Sequence, residues 1–308
     1  MKFTNKFRLS YLLLAIVLLP ACSFFKSDIK EIDSLIQAQE ELKKADQKTL
    51  VVFDMDDTLV APIDKMFYVL YKNIEDFDPA DADFAKQLRE DIKSVVASKN
   101  DPDYSNKATS AAFAITRFAP IEPCTVSTIR DLQMRDVKVI ALTASNTGKF
   151  GIIESMQKWR KNNLKQIGLD FSGSFTLQES DFDKFPTMHG FYPAFYMGIL
   201  CAAFSPKGKI LAAFFDKVGW QPDKVIFFDD SYDHCKSVEN EMKKIGIPVQ
   251  CYWYKAAFKE KIKLNQSVIK YQFDHWIKHE KCVTEEEVLE KMGSTPANEV
   301  NNYAVAAK

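Results

Sequence analysis

The distribution of apolar and polar residues predicts an alternation of strands and helices along most of the chain. Segments with apolar residues every three or four positions, the spacing of an amphipathic helix, separate short continuous runs rich in Val, Ile, Leu and Phe. Runs of this kind are typical of parallel strands that are buried on both faces. They occur at residues 50–53, 137–143, 223–230 and 247–254. The pattern therefore predicts an α/β fold with a doubly wound, mostly parallel sheet.

A long insertion follows the first predicted strand. It has helical spacing, with Phe67, Leu70, Ile74 and Phe77 three or four positions apart. Because a connection of this length normally has structure of its own, we expect it to form a helical cap on the sheet. The last predicted strand is followed by two further helical segments and a polar tail, and we expect this tail to be disordered.

Three other segments complete the predicted elements. Residues 29–42 have the spacing of one surface helix, and 147–168 have that of a second amphipathic helix. A third helix begins with Ser205 as its N-cap and Pro206 at its first position, after an aromatic stretch that indicates a short strand and a hairpin at 171–204. The chain is predicted to begin with a signal peptide (1–21) and a linker with its helix (22–47). A two-segment α/β core (48–61 with 120–280) contains the inserted cap (62–119). A C-terminal helix with the tail (281–308) follows.

Composition and charge narrow the possible functions. The 308 residues carry 41 Lys and Arg against 42 Asp and Glu, which leaves a net charge of −1. Because this balance gives no basic excess, we expect no nucleic-acid partner. Hydrophobic residues make up 46% of the chain, enough for one large core, or for a core and a smaller accessory domain. The cysteines form no CxxC motif, so neither a zinc knuckle nor a thioredoxin-type site is indicated, and disulfide pairing stays open.

The N-terminus has the features of a bacterial lipoprotein signal. Lys2, Lys6 and Arg8 precede an apolar run of about ten residues, which is too short to span a membrane. The run ends in "LPAC", which resembles the lipobox of bacterial lipoproteins and implies that Cys22 is lipidated. An ordinary secretory signal with a chance cysteine is the alternative. Ser23 resembles the pattern of outer-membrane lipoproteins, so we expect an exported protein that its lipid anchors to a membrane, facing the periplasm or the cell surface.

Polar residues follow three of the predicted strands, at ends that lie on one edge of a parallel sheet. "DMDD" (54–57) follows the first, Thr143 ends the second, and Asp229 and Asp230 end the third. Ligands bind along this edge in open α/β sheets. The two acidic groups would repel each other there, and a divalent cation removes that repulsion. Carboxylate oxygens suit Mg²⁺, and Lys207, in a first helical turn nearby, also requires anions around it.

The same residues resemble the four motifs of the haloacid dehalogenase superfamily. "DMDDT" at 54–58, Thr143 after a hydrophobic strand, "KG" at Lys207 and "DD" at 229–230 occur in the expected order and on the expected elements. The resemblance covers roughly residues 48–254, and the insertion corresponds to a helical cap of the first type. More narrowly, the chain is similar to an uncharacterised family of bacterial exported proteins within this superfamily. Lipoprotein acid phosphatases of the superfamily are the nearest functional comparison.

The resemblance implies a role for each residue at the strand ends. Asp54 is expected to be the nucleophile that forms an aspartyl-phosphate. Asp56 is expected to protonate the leaving oxygen and then to deprotonate water. Thr143 is expected to donate its hydroxyl to a phosphoryl oxygen, and Lys207 to neutralise the charge that develops there.

The implied metal is Mg²⁺, held by the carboxylates of Asp54 and Asp230 and by the backbone carbonyl of Asp56. Asp229 is an auxiliary ligand in this scheme, and the choice between Asp229 and Asp230 as the main ligand stays open. These expectations favour an Mg²⁺-dependent phosphomonoester hydrolase with a small phosphorylated substrate. The alternative is a catalytically silent lipoprotein of the same fold that serves as a binding or host-interaction module. No pattern indicates the substrate or the oligomeric state.

Overall fold

The computed structural model describes residues 28–293. The predicted signal peptide, the predicted lipidation of Cys22 and the tail from residue 294 onward lie outside the described residues. In the described part, no helix combines the length and the apolar character that crossing a membrane would need. The cysteines of this part are free thiols.

Within residues 28–293, a mostly parallel sheet of eight strands forms the centre of the fold, as the apolar runs predict. Its spatial order is β1-β10-β9-β2-β5-β8-β7-β6, and a separate pair, β3 and β4, is antiparallel. In this spatial order, the first six strands, β1-β10-β9-β2-β5-β8, pair in parallel. The last two, β7 and β6, are added to the sheet by antiparallel pairing. The strands are β1 (Lys30–Ile32), β2 (Thr49–Phe53), β3 (Val60–Pro62), β4 (Phe118–Pro120), β5 (Lys138–Thr143), β6 (Glu179–Asp181), β7 (Ala194–Tyr196), β8 (Ile199–Cys201), β9 (Lys224–Asp229) and β10 (Val249–Tyr254).

Helices cover both faces of this sheet, which explains why its central strands are apolar at every position. In β2, Val51 and Phe53 belong to one hydrophobic cluster, and Leu50 and Val52 belong to the cluster on the opposite face. The first cluster includes side chains of α1, α5 and α6, and the second includes side chains of α7 and α8. These helices are α1 (Gln39–Lys44), α5 (Thr125–Met134), α6 (Met156–Gln166), α7 (Lys207–Val218) and α8 (Tyr232–Lys244).

The insertion after β2 packs with two C-terminal helices in a helical layer that has hydrophobic clusters of its own. We use "helical layer" for α2 (Lys65–Tyr71), α3 (Pro79–Ser98), α4 (Tyr104–Ile115), α9 (Gln266–His279) and α10 (Glu285–Lys291). Val69 and Phe77 of the insertion pack with Ile269, Phe273 and Trp276 of α9 in one cluster. The predicted boundaries assign α9 to the α/β core, but its buried face packs on the insertion. Sequence spacing shows that such a helix has a buried face, not which surface covers it.

Three predicted elements differ from the structure at their ends. Residues 30–32, expected to be helical, form β1, because their backbone pairs with β10 at the edge of the sheet. The helix predicted over 147–168 begins at Met156, since Gly148 and Gly151 have positive φ in the loop before it. The helix predicted to begin at Pro206 begins one residue later, which makes Pro206 the N-cap residue in place of Ser205.

Candidate active site

The register of the sheet brings the predicted catalytic residues to one edge. Phe53 of β2 pairs with Phe228 of β9, so Asp54 and Asp229 leave the sheet side by side. The backbone N–H of Asp54 donates to the carbonyl of Phe228 at 2.8 Å, which holds this alignment one residue beyond the strand. Thr143 ends β5, the neighbour of β2 on its other side.

Lys207 connects the two acidic strand ends. Its side chain is only 1% exposed, and its Nζ donates to Asp54 Oδ1 and, at 2.7 Å, to Asp229 Oδ2. Burial alone lowers the pKa of a lysine, but the charges of Asp229 and Asp54 outweigh it and raise the pKa of Lys207 above its usual range. The following Gly208 is required by packing, because a Cβ there would lie 2.2 Å from the carbonyl oxygen of Ser237 on α8. In the "KG" pair, Lys207 therefore supplies the cation, and Gly208 allows α7 to pack closely on α8.

Asp229 is fully buried and has hydrogen bonds on both carboxylate oxygens. Oδ2 accepts from Lys207, and Oδ1 accepts from the backbone N–H of Ser231 at 2.9 Å and lies 3.1 Å from His234 Nδ1. Burial raises its pKa, but Lys207 and His234 together lower it below the usual range. Asp229 therefore stays charged and holds Lys207 in position.

Asp230 differs from its neighbour because no cationic side chain of the described residues forms an ion pair with it. Burial and the adjacent charge of Asp229 raise the pKa of Asp230 to about 7. Carboxylate oxygens of Asp54, Asp229 and Asp230 lie within 4.8 Å of one another. Burial and the charges of Asp229, Asp230 and Asp56 also raise the pKa of Asp54, against the opposing effect of Lys207. Three close carboxylates with one lysine leave an excess of negative charge in a partly desolvated site.

This donor set suits a hard divalent cation. All three groups offer oxygen atoms, which are the ligands that Mg²⁺ prefers, and a cation would offset the excess charge. Asp54 keeps Oδ2, and Asp230 keeps both oxygens, free of hydrogen bonds from the described residues, whereas both oxygens of Asp229 are occupied. Of the two alternatives left by the sequence, the geometry favours Asp230 as the main ligand.

The carboxylate of Asp56 does not belong to this group. It forms a two-pronged ion pair with Arg160, in which Nη1 donates to Oδ1 at 2.8 Å and Nη2 donates to Oδ2 at 2.7 Å. The Asp56 side chain is 42% exposed, whereas that of Arg160 on α6 is almost fully buried. The predicted metal contact of Asp56 is through its backbone carbonyl, and the side chain is held by the arginine.

Asp57, the last residue of "DMDD", points to a different partner again. It has a left-handed backbone with φ of 59° and forms a buried ion pair with Lys72 Nζ at 2.5 Å. Lys72 follows α2 in the helical layer, and its Nζ also lies 4.5 Å from the centre of the Phe258 ring. This pair ties the loop after β2 to the helical layer.

Thr143 is buried, and its Oγ1 accepts a hydrogen bond from the backbone N–H of Ser145 at 3.1 Å. Its hydroxyl hydrogen is not used by this contact, so Thr143 can donate to an oxygen at the sheet edge.

Sequence reasoning did not find Arg160, Lys72 or His234. Arg160 lies in "KWRKNNLK", where helical spacing does not distinguish a buried arginine from its basic neighbours. Lys72 is the C-cap of a short helix and His234 lies in the first turn of another, and neither belongs to a motif. Arg160 binds a partner 104 positions away, which no local pattern reveals. Lys72 and His234 lie 15 and 5 positions from their partners, but no periodicity or motif marks either as part of a site.

Relatives of the chain are found among proteins of the genus Rickettsia. An uncharacterized protein of Rickettsia felis (strain ATCC VR-1525 / URRWXCal2) is 26% identical over 253 residues, which cover 74% of this chain and 76% of that protein. The uncharacterized protein RP296 of Rickettsia prowazekii (strain Madrid E) is 23% identical over 247 residues, or 80% and 83% of the two chains. A family model described as "Protein of unknown function (DUF2608)" matches residues 27–288. This match includes the whole sheet and every residue of the site, and the chain belongs to the DUF2608 family.

Proposed function

We propose that this protein is an Mg²⁺-dependent phosphomonoester hydrolase of the haloacid dehalogenase type, with Asp54 as its nucleophile. One observation carries the proposal: Lys207 bridges Asp54 and Asp229 at the carboxyl edge of a parallel sheet, with Asp230 beside them. A buried lysine held between two carboxylates supplies positive charge where a phosphoryl group would meet the nucleophile. Dehalogenases of the superfamily need no metal and no second acid, so Asp56 and the Asp229–Asp230 pair argue against that chemistry.

The residues divide the reaction among them. Asp54 attacks the phosphorus atom and forms an aspartyl-phosphate, while Asp56 donates a proton to the leaving alkoxide oxygen. Asp56, then a carboxylate, takes a proton from the water that hydrolyses the aspartyl-phosphate. Lys207 and the hydroxyl of Thr143 donate hydrogen bonds to the phosphoryl oxygens, where negative charge develops.

Mg²⁺, when bound by Asp54 and Asp230, supplies charge neutralisation for the phosphate in this scheme. The partner of the site is a small phosphorylated molecule, and the helical layer beside the sheet edge is the region that would select it.

A chromogenic phosphomonoester assay with and without Mg²⁺ tests the proposal. We expect turnover that requires Mg²⁺ and that is lost in Lys207→Met. Lys209→Met is the matched control, because Lys209 lies two residues along the same helix, is exposed and forms no ion pair within the described residues. Equal activity of the two variants, or no turnover by the wild type on a panel of phosphomonoesters, would contradict the proposal.

A second candidate function is supported by the Asp56–Arg160 pair. Arg160 occupies both oxygens of the group that would have to transfer a proton. This arrangement fits a catalytically silent protein of the same fold that acts as a binding or host-interaction module. The two candidates differ in one measurement, because a silent protein binds Mg²⁺ and phosphate without releasing phosphate from any ester.

Export and lipid anchoring complete the proposal and rest on "LPAC" after a short apolar run. Several acyl chains together anchor a protein stably, whereas a single chain does so only marginally. We expect Cys22→Ser to convert a protein of the membrane fraction into a soluble or unprocessed form. Membrane fractionation and the mass of the N-terminal peptide measure this, and a wild type without lipid on that peptide would contradict the anchoring.

A further inference from the structure

Tyr71, the last residue of α2, brings an aromatic side chain of the helical layer to the candidate active site. The next residue, Lys72, binds Asp57, which follows Asp56 in the chain. The Nζ atom of Lys72 lies 5.5 Å from the centre of the Tyr71 ring. Burial, and after it the charges of Asp57 and Asp56, raise the pKa of Tyr71 above its usual range. Tyr71 therefore lies within the field of both aspartates.

The surroundings of Tyr71 are those of a cleft. The residue is 43% exposed, although burial is the main cause of its raised pKa. Both properties hold for a side chain in a cleft, because protein surrounds the side chain while solvent still reaches it. A ligand at the sheet edge can therefore contact Tyr71.

Neighbouring aromatic rings fix the position of the Tyr71 ring. Phe67 makes a T-shaped contact with it, with ring centres 5.2 Å apart. The Phe67 ring lies 5.0 Å from that of Phe113 on α4, which stacks at 5.1 Å on Trp159 of α6. A ring that is held in place before binding loses little conformational entropy when a ligand arrives. Tyr71 is therefore suited to form a binding surface.

The proposed reaction decides which part of a substrate meets this ring. Asp56 donates a proton to the leaving oxygen, so the carbon group on that oxygen must lie beside Asp56. Aromatic rings pair favourably with one another, by offset stacking or edge to face. On the basis of the proposed function, we infer that Tyr71 is a specificity-determining residue that contacts the leaving group and selects phosphomonoesters with an aromatic ring in that group.

The charges near Tyr71 disfavour a second anion in the leaving group. Asp56 and Asp57 are both acidic, and the two cations beside them are already engaged. Both Nη atoms of Arg160 donate to Asp56, and Lys72 is buried in its ion pair with Asp57. An anionic leaving group would meet like charges whose cations are occupied. The selected leaving group is therefore uncharged as well as aromatic.

Three phosphomonoesters of primary alcohols measure this selection. Benzyl phosphate has the ring, ethyl phosphate lacks it, and carboxymethyl phosphate is close to ethyl phosphate in size but adds a carboxylate. We expect kcat/KM for benzyl phosphate to exceed that for ethyl phosphate by about tenfold, the scale of one aromatic contact with its apolar area. Carboxymethyl phosphate should be poorer than ethyl phosphate. Release of inorganic phosphate measures all three, and equal values for benzyl and ethyl phosphate, or a carboxymethyl ester as good as the ethyl ester, would overturn the inference.

Variants locate the selection at one ring. Tyr71→Ala should bring the ratio of benzyl to ethyl phosphate close to one, whereas Tyr71→Phe should keep the wild-type ratio. Tyr232→Ala is the matched control, because Tyr232 is also 43% exposed but its ring contacts Trp253 of β10. The ratio is compared because changes in the shared phosphate chemistry cancel in it. A ratio that persists in Tyr71→Ala, or that falls equally in Tyr71→Phe or Tyr232→Ala, would refute the role of the Tyr71 ring.

Binding of phosphonates separates this inference from the proposed function. In 2-phenylethylphosphonate and propylphosphonate a CH₂ group replaces the ester oxygen of benzyl and ethyl phosphate, so neither can be hydrolysed. Isothermal titration calorimetry with Mg²⁺ present should show about tenfold tighter binding of the phenylethyl compound, and Tyr71→Ala should remove the difference. A protein with this preference that released no phosphate would contradict the hydrolase and keep the aromatic subsite. A protein that hydrolysed all the esters and bound both phosphonates equally would overturn the subsite alone.

Discussion

The two acidic strand ends that meet at the sheet edge differ in how their charges are compensated. After β2, each aspartate has a cationic partner: Asp54 has Lys207, Asp56 has Arg160 and Asp57 has Lys72. After β9, Asp229 shares Lys207 with Asp54, and Asp230 has no ion-pair partner in residues 28–293. The segment richer in aspartates is therefore the better compensated of the two.

This difference shows where a cation is needed. The three partners of the β2 end come from α7, α6 and the end of α2, so the fold itself neutralises that end. The β9 end keeps an uncompensated carboxylate with a raised pKa. In the proposed function, Mg²⁺ supplies the positive charge that the β9 end lacks.

The largest expected effect is on turnover at the β2 end. Asp54→Asn keeps the shape of the side chain and removes the attacking charge, so we expect kcat to fall by roughly 10⁴-fold or more. Asp57→Asn is the control, because it lies in the same loop and Asn tolerates the left-handed backbone found there. Steady-state kinetics and circular dichroism of both variants measure the effect. An Asp54→Asn protein that retained most of its activity would rule out the covalent mechanism.

Removal of the shared cation should lower stability more than removal of an unshared one. Lys207→Met leaves two buried carboxylates without their cation, and loss of one member of a buried pair costs about 3–5 kcal/mol. Lys72→Met leaves only Asp57 unpaired, so we expect a smaller loss. Urea unfolding at neutral pH measures both free energies. Equal losses would show that Lys207 does not serve two acids.

Mg²⁺ should stabilise the protein through the β9 end. A ligand that binds only the folded state adds about 2.7 kcal/mol when present at a hundredfold excess over its dissociation constant. We expect Mg²⁺ added to chelated protein to raise Tm and to restore turnover together. Asp230→Ala should lose both responses, and its metal-free Tm should equal or exceed that of the wild type, because one repelling charge is gone. A wild type whose Tm and turnover are indifferent to chelation would leave no role for the metal.

The smallest expected effect is a change in how metal-free stability depends on pH. The pKa of Asp230 is about 7 in the folded protein and 3.8 without the fold. Between these values the folded state holds a proton that the unfolded state has released, so this contribution to stability falls as pH rises and is lost above about pH 7. Asp54 and Asp57, whose pKa values are also raised, act in the same direction.

We therefore expect the metal-free wild type to unfold at lower urea concentration at pH 8 than at pH 5. Asp230→Asn should show a shallower dependence, because Asp54 and Asp57 remain. Identical pH profiles for the two proteins would mean that Asp230 is already compensated in the wild type.

Much of the fold follows from local patterns. The apolar runs placed β2, β5, β9 and β10 to within one or two residues, because strands buried on both faces cannot alternate with polar residues. The same reasoning failed at residues 30–32, where three residues pair at a sheet edge. So short a segment carries no period of its own, and it takes its extended conformation where it pairs with β10.

Some residues of the candidate site could also be found from local patterns, whereas others could not. Asp54, Thr143, Lys207, Asp229 and Asp230 could be found in the sequence because each stands at the end of a strand or the start of a helix, and parallel topology brings those ends together. Arg160 could not be found, because it lies 104 positions from the carboxylate that it binds. Its burial depends on how α6 packs, and helical spacing leaves that open.

The sequence by itself determined which residues form the sheet edge and that this edge is acidic, since the alternation of apolar and polar residues is a local property of the chain. Only the tertiary structure decided which cation compensates which aspartate, and that Asp230 is left without one. Ion pairing depends on distances through space between side chains as far apart in the chain as Asp54 and Lys207, 153 positions, and those distances exist only after the crossover connections have closed. The packing of α9 on the insertion was decided in the same way.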